Sequence, residues 1–151
     1  MPARRRELRR GGRDAKLELL SRLSLFSACS KRDLRRIAAL VDQIEVPEGK
    51  VLTRQGDRGG ECFVIADGTA KASRRGRRSV TLGPGSFFGE MSLLDQGPRS
   101  ATVTAETDMR LLVLGPREFS SLIAEVPSVA RRMMRVLAER LRAAEPPKPQ
   151  H

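Results

Sequence analysis

Between residues 46 and 114 the sequence never sustains a helical period. It breaks into short alternating stretches at 51–54, 62–66, 69–73, 79–82, 101–105 and 110–114, separated by Gly and Pro. Turn signals at intervals of about ten residues are the mark of a closed β-roll or jelly roll. The period changes on both sides. Residues 15–23 carry apolar side chains at helical spacing, and Ser30 caps a second helix to about residue 41 with Leu34, Ile37, Ala38 and Val41 on one face. After the roll, Pro116 sits in the first turn of a helix to Glu125, with Phe119, Leu122 and Ile123 inward. Pro127 precedes a longer helix over 128–144, whose stripe is Val129, Met133, Val136, Leu137 and Leu141 and whose other face is Arg-rich. The expected fold class is therefore mainly β with flanking α. It places one domain over 15–144, between a basic disordered arm (1–14) and a disordered tail (145–151) ending in PPKPQH.

One run inside the β region, 88–105, reads FGEMSLLDQGPRSATVTA. Gly89 and Glu90 stand at a loop-to-helix junction, a single turn follows through Met91, Ser92, Leu93 and Leu94, and Gly97-Pro98 breaks it. Arg99 and Ser100 then stand at the mouth of the strand 101–105. Each piece has a use against a phosphate joined to a ribose. Backbone N–H groups at a helix start can hold anionic oxygens. Arg99 offers a fixed fork of donors, Ser100 a hydroxyl donor, and Glu90 an acceptor for sugar hydroxyls. The pattern describes a pocket for a small anionic nucleotide. Its plainer alternative is that Glu90 and Arg99 merely pair with each other across a turn.

The same run closely resembles the phosphate-binding cassette of the cyclic-nucleotide-binding domain family. That family includes the regulatory subunits of cAMP-dependent kinase, cyclic-nucleotide-gated channels and the bacterial catabolite activator. Residues 45–70 resemble the family's first β-roll strands, LGPGSFFGE (82–90) the approach to the cassette, and 25–41 the leading helices. The likeness covers roughly residues 20–143. It implies a β-roll (a double-stranded β-helix or jelly roll) with N-terminal helices and two C-terminal helices. It also implies a ligand site of Phe88, Gly89, Glu90, Met91, Ser92, Arg99, Ser100, Ala101 and Val103, in which Arg99 meets the cyclic phosphate and Glu90 accepts from the ribose 2′-OH. Ligand capture would then draw the cassette inward and swing the C-terminal helices over the pocket, with Leu93 and Phe119 at the hinge. Both residues also fit an ordinary core. Arg140, counted from Pro127, matches a base-capping arginine on the last helix of some channel domains; a solvated helix face accounts for it nearly as well. Members that favour cGMP often carry threonine after the cassette arginine. Ser100 departs from that, which favours cAMP.

Charge placement bears on partners. The net charge is +11, but residues 1–16 hold seven basic and two acidic side chains, and KASRRGRR (71–78) holds five basic and none acidic. The remainder is close to neutral. The basicity therefore decorates an arm and a hairpin tip, with Gly76 where the turn needs a positive φ. Residues 4–13 and 71–78 become candidates for contact with nucleic acid or another acidic surface, although no aromatic residues interleave the arginines to stack on bases. Cys29 and Cys62 fall in different elements and read as buried free thiols, which fits a cytoplasmic setting. No apolar run approaches the ~20 residues of a membrane span. A β-barrel enzyme of the cupin type needs clustered metal-binding histidines, and His151 is the only histidine in the chain. The expectation is a non-enzymatic sensor without metal or cofactor. Its ligand is cAMP or, second, cGMP, and it reports to a protein effector the sequence does not name, with a homodimer through the last helix open. The alternative is a cAMP-responsive transcription regulator lacking its helix-turn-helix, or a nucleic-acid binder acting through the arm.

Overall fold

The computed structural model describes residues 12–144. It contains helices α1 (Gly12–Ser21) and α2 (Lys31–Leu40), then strands β1 (Asp42–Val46), β2 (Val51–Thr53), β3 (Cys62–Asp67), β4 (Ala70–Ser73), β5 (Val80–Leu82) and β6 (Phe87–Phe88). Helix α3 (Glu90–Asp95), strands β7 (Thr102–Ala105) and β8 (Met109–Leu114), and helices α4 (Pro116–Glu125) and α5 (Pro127–Ala144) complete it. Two four-stranded antiparallel sheets, ordered β1-β8-β3-β6 and β2-β7-β4-β5, form the roll. The expected β-roll with helices before and after is the architecture found.

Three details differ from the expectation. The first helix begins at Gly12, so residues 12–14 belong to α1 and not to the arm, with Asp14 in the first turn where a carboxylate complements the helix dipole. The rest of the arm, and the tail 145–151, lie outside the described residues. Strands β1 and β6 were not foreseen: one follows α2 almost directly, and the other is two residues long. Finally, β3 and β8 do not alternate in polarity. Cys62, Val64, Ala66, Leu112 and Leu114 enter one core cluster with α1, α2, α4 and α5, while Phe63, Ile65, Leu111 and Val113 enter a second cluster inside the roll. Helices cover the outer face of this sheet, so both of its faces are apolar. The other sheet behaves as a half-buried one should, with Val103 and Ala105 inward and Thr102 and Thr104 less buried between them.

The local signals explain the frame. Ser30 caps α2 through a reciprocal pair of bonds: its hydroxyl accepts from the Asp33 N–H at 3.1 Å, and Asp33 accepts from the Ser30 N–H at 3.3 Å. Lys16 donates to the Val41 carbonyl at 2.7 Å, tying α1 to the end of α2. Arg36 and Glu125 form a two-bond ion pair between α2 and α4, at 2.6 and 2.9 Å. Gly76 takes a φ of 74° at the basic hairpin tip between β4 and β5. One tip residue, Arg77, donates to the Ala144 carbonyl at 2.9 Å, so the hairpin meets the end of α5.

Candidate functional site

Arg99 is where the cassette is organised. Its backbone is pinned to the loop before β3, donating from N–H to the Asp57 carbonyl at 2.7 Å and accepting from the Gly56 N–H at 2.9 Å. The guanidinium is held from below: Nη1 donates to the carbonyls of Glu61 at 2.7 Å and Gly89 at 3.0 Å. It also stands 5.9 Å from the centre of the Phe63 ring, which stacks on Phe88 at 5.0 Å. Burial pulls its pKa below the ordinary arginine value, opposed chiefly by the carboxylate of Glu61 and also by Glu90. It remains a cation, and only 8% of it is exposed.

Gly89 makes this geometry available. It adopts a φ of 87° at the N-terminus of α3, and a methyl group on it would fall 2.6 Å from both Arg99 Nη1 and the Glu61 oxygen. Only glycine satisfies the dihedral and the close approach together. Gly59 closes on the arginine from another side: a methyl there would fall 2.5 Å from Arg99 Nε and 2.6 Å from Ser92 Oγ.

Glu90 is 3% exposed. One carboxylate oxygen accepts from the Met91 N–H at 3.0 Å; the other, Oε1, has no hydrogen-bond partner. Burial raises its pKa above the usual carboxylate range, with Arg140 the largest opposing influence and Arg99 a smaller one. Its ion-pair partner is Arg140, not Arg99: Arg140 Nη1 lies 3.6 Å from Glu90 Oε1. The alternative in which the cassette acid and the cassette arginine simply satisfy each other is therefore set aside. Ser92, 4% exposed, likewise buries a hydroxyl without a partner.

The other expected residues are more scattered. Phe88 is buried by its stack on Phe63, and Val103 faces into the roll. Ala101 packs beside the same cluster, and its carbonyl accepts from the Thr53 hydroxyl at 2.9 Å. Met91 is 42% exposed, and Ser100 is exposed. Phe119 is buried in the helix-side core, and Leu93 packs against that same core. Arg140 is drawn into the protein: it donates to the Phe87 carbonyl at 2.8 Å and lies 4.6 Å from the Phe87 ring centre. Gly59, Glu61, Phe63 and Phe87 were missed. The Gly59-Gly60 pair was visible as a loop signal, but nothing local showed that it would close on a residue forty positions away.

Both cysteines are free, and burial pushes the thiol of Cys62 above its ordinary value. No helix among the described residues is long and apolar enough to cross a membrane.

A β-roll with a buried arginine and a buried acid beside a left-handed glycine defines a class of ligand-binding domain. Residues 43–126 match the family model "Cyclic nucleotide-binding domain", and the chain belongs to that family. It is 41% identical over 104 residues to the cyclic AMP receptor protein of Thermus thermophilus, covering 66% of this chain and 48% of that protein. It is 35% identical over 138 residues to a cyclic nucleotide-gated potassium channel of Mesorhizobium japonicum, covering 91% of this chain and 38% of the channel. The crystal structure of the Thermus thermophilus catabolite activator protein superposes with a TM-score of 0.71 at 36% identity, over 80% of this chain and 59% of that one. The chain thus spans about half the length, or less, of these curated relatives. They are named as regulators and channels.

Proposed function

We propose that this domain binds a cyclic nucleotide, cAMP before cGMP, at the cassette from Phe88 to Val103, and relays occupancy through α5 to a protein effector. The carrying observation is the arrangement around Gly89: a buried guanidinium fixed by two carbonyls, and a buried carboxylate oxygen that makes no hydrogen bond and has only the Arg140 guanidinium at 3.6 Å. An unmade buried polar group costs about 1–3 kcal/mol. A ribose hydroxyl donating to Glu90 Oε1 and a cyclic phosphate on Arg99 would satisfy the acid and use the cation. Because the phosphodiester keeps its charge, desolvating it needs that fixed cation. The preference for cAMP rests on Ser100.

Arg140 supports relay through the last helix. In this structure it holds the Phe87 carbonyl and faces the same carboxylate that a ribose hydroxyl would seek. A ligand hydroxyl engaging Glu90 changes what Arg140 meets. Ligand occupancy and the seating of α5 are therefore coupled, with Leu93 and Phe119 as the hinge. Met134 and Leu141, seven residues apart on α5, are 61% and 66% exposed and offer a face for an effector or a second copy. The exposed arginines of the hairpin tip, Arg74, Arg75, Arg77 and Arg78, with Lys71, support contact with an acidic surface. A cytoplasmic setting suits the free thiols.

Calorimetric titration of the full chain with cAMP, cGMP and 5′-AMP tests this reading. Saturable cAMP binding that falls tenfold or more in Arg99→Ala is expected, since a charge-assisted bond contributes roughly 1.5–3 kcal/mol. Unchanged cAMP affinity in that variant would refute it.

A further inference from the structure

We infer that the basic end of the roll docks the phosphate backbone of duplex nucleic acid, which makes specific the acidic-surface contact proposed above and does not depend on the cassette. Strand register sorts the charge of this sheet. Ala70 pairs with Ala105 and Ser73 with Thr102, so the segments 67–69 and 106–108 share one end and the tip 74–78 lies at the other. β2 pairs with β7 through Val51 and Thr53, which leaves Glu48 at the first end and Arg54 at the second. The first end carries exposed Glu48, Asp67, Glu106 and Asp108, with Lys50 and Arg110 among them. The second carries Arg54, Arg74, Arg75, Arg77 and Arg78, all exposed, and Asp57 is the one acidic residue of 54–58 and 71–78. A surface that serves solubility alone intersperses its signs. Here they are segregated, so a polyanion meets the roll in one orientation.

The tip is held in shape by its backbone. With Gly76 at a φ of 74°, the Arg77 N–H closes onto the Arg74 carbonyl at 3.0 Å, and Gln55 Oε1 accepts from the Arg75 N–H at 2.9 Å. The Arg77 guanidinium is engaged by the Ala144 carbonyl, at a helix terminus that favours a cation. Arg74, Arg75 and Arg78 make no side-chain hydrogen bond or ion pair among the described residues. Guanidinium forks on a narrow, fixed ribbon suit phosphate oxygens, which each fork binds two at a time. No aromatic residue stands in 71–82 to stack on unpaired bases, which favours a duplex over a single strand. Within the hairpin Val80 is the only large apolar side chain left exposed, too little to anchor in a lipid interface.

Fluorescence anisotropy of a labelled duplex DNA of arbitrary sequence, titrated with the full chain across a salt series, tests the inference. Wild type should bind with an affinity that falls steeply as salt rises. The triple variant Arg74→Gln/Arg75→Gln/Arg78→Gln should bind roughly a hundredfold more weakly at about 0.1 M salt, with the log–log salt slope flattened by about 2–3. A charge-matched triple on the exposed face of α2, Lys31→Gln/Arg32→Gln/Arg35→Gln, should change both quantities little. Urea unfolding should give the hairpin triple the wild-type midpoint, and calorimetry the wild-type cAMP affinity. Equal losses in the two triples would reduce the effect to net charge and overturn the proposal. So would wild type that ignores duplex DNA, or that prefers vesicles of phosphatidylcholine and phosphatidylserine. Binding lost in Arg4→Gln/Arg5→Gln/Arg6→Gln but kept in the hairpin triple would place the contact in the arm and overturn it too. A hairpin triple that loses stability or cAMP affinity assigns these arginines another role, with the same consequence. The cyclic-nucleotide reading falls separately, if wild type fails to bind cAMP.

Discussion

Substituting Arg140 by alanine removes three contacts of different character, and pH separates them. The bond to the Phe87 carbonyl at 2.8 Å and the stack on the Phe87 ring at 4.6 Å do not depend on Glu90. A hydrogen bond from a charged group contributes about 1.5–3 kcal/mol and a cation–π contact about 0.5–1 kcal/mol. The Arg140 side chain is 35% exposed, so water replaces part of both, and a net loss of about 1–2 kcal/mol is expected. The third contact is the approach to Glu90 at 3.6 Å. Burial already raises the Glu90 pKa, and Arg140 is the main influence holding it down. A carboxyl raised in the folded state binds its proton there at pH values where the unfolded chain has released it. Stability therefore falls as pH rises from the ordinary glutamate range through the raised value. Removing Arg140 raises Glu90 further, and each added unit costs about 1.4 kcal/mol once pH exceeds it. The loss in Arg140→Ala should thus be larger at about pH 8 than at about pH 5, where Glu90 is nearer to neutral in the folded protein. Urea unfolding at both pH values, repeated in a Glu90→Gln background, measures it. The pH dependence should vanish in that background. An equal loss at both pH values, or a dependence that persists without the carboxylate, would refute the coupling of α5 to the cassette acid.

Gly59→Ala should displace the Arg99 side chain, since a methyl there would fall 2.5 Å from Nε and 2.7 Å from Cδ of a side chain anchored at both its ends. A lower unfolding midpoint together with lower cAMP affinity is the expected result, and unchanged affinity would show that Arg99 is not positioned from that side. Ser30→Ala removes the reciprocal cap of α2, at a cost of about 1 kcal/mol. Chemical unfolding should show this as a shift in midpoint with no change in ligand affinity, because α2 packs into the helix-side core and supplies no side chain to the candidate ligand site.

Much of the roll was legible because its strands are short and its turns are marked. The strands at 62–67, 70–73, 80–82, 102–105 and 109–114 lie within a residue or so of where alternation and turn residues placed them, and α4 begins at Pro116 as expected. Phe87–Phe88 escaped because two residues carry no period; only pairing with Phe63 and Val64 makes them a strand. Asp42–Val46 escaped because its polar residues, Asp42, Gln43 and Glu45, mask the inward Ile44, and its partner β8 lies some seventy residues on. In the cassette, Gly89, Glu90 and Arg99 were readable as types suited to a ribose phosphate. What Glu90 faces was not readable, since Arg140 arrives from a helix fifty residues later.

Local chemistry alone settled where the chain turns, where its helices are capped and which residue types crowd into 88–105. Those depend on φ preferences, hydrogen bonds a few residues apart and side-chain identity, all of which a short window contains. Tertiary packing decided that β3 is apolar on both faces, that Gly59 closes on Arg99, and that the cassette acid meets the last helix rather than its neighbouring arginine. Each of these is a contact between segments distant in sequence, whose proximity exists only once the two sheets have paired and the helices have covered one of them.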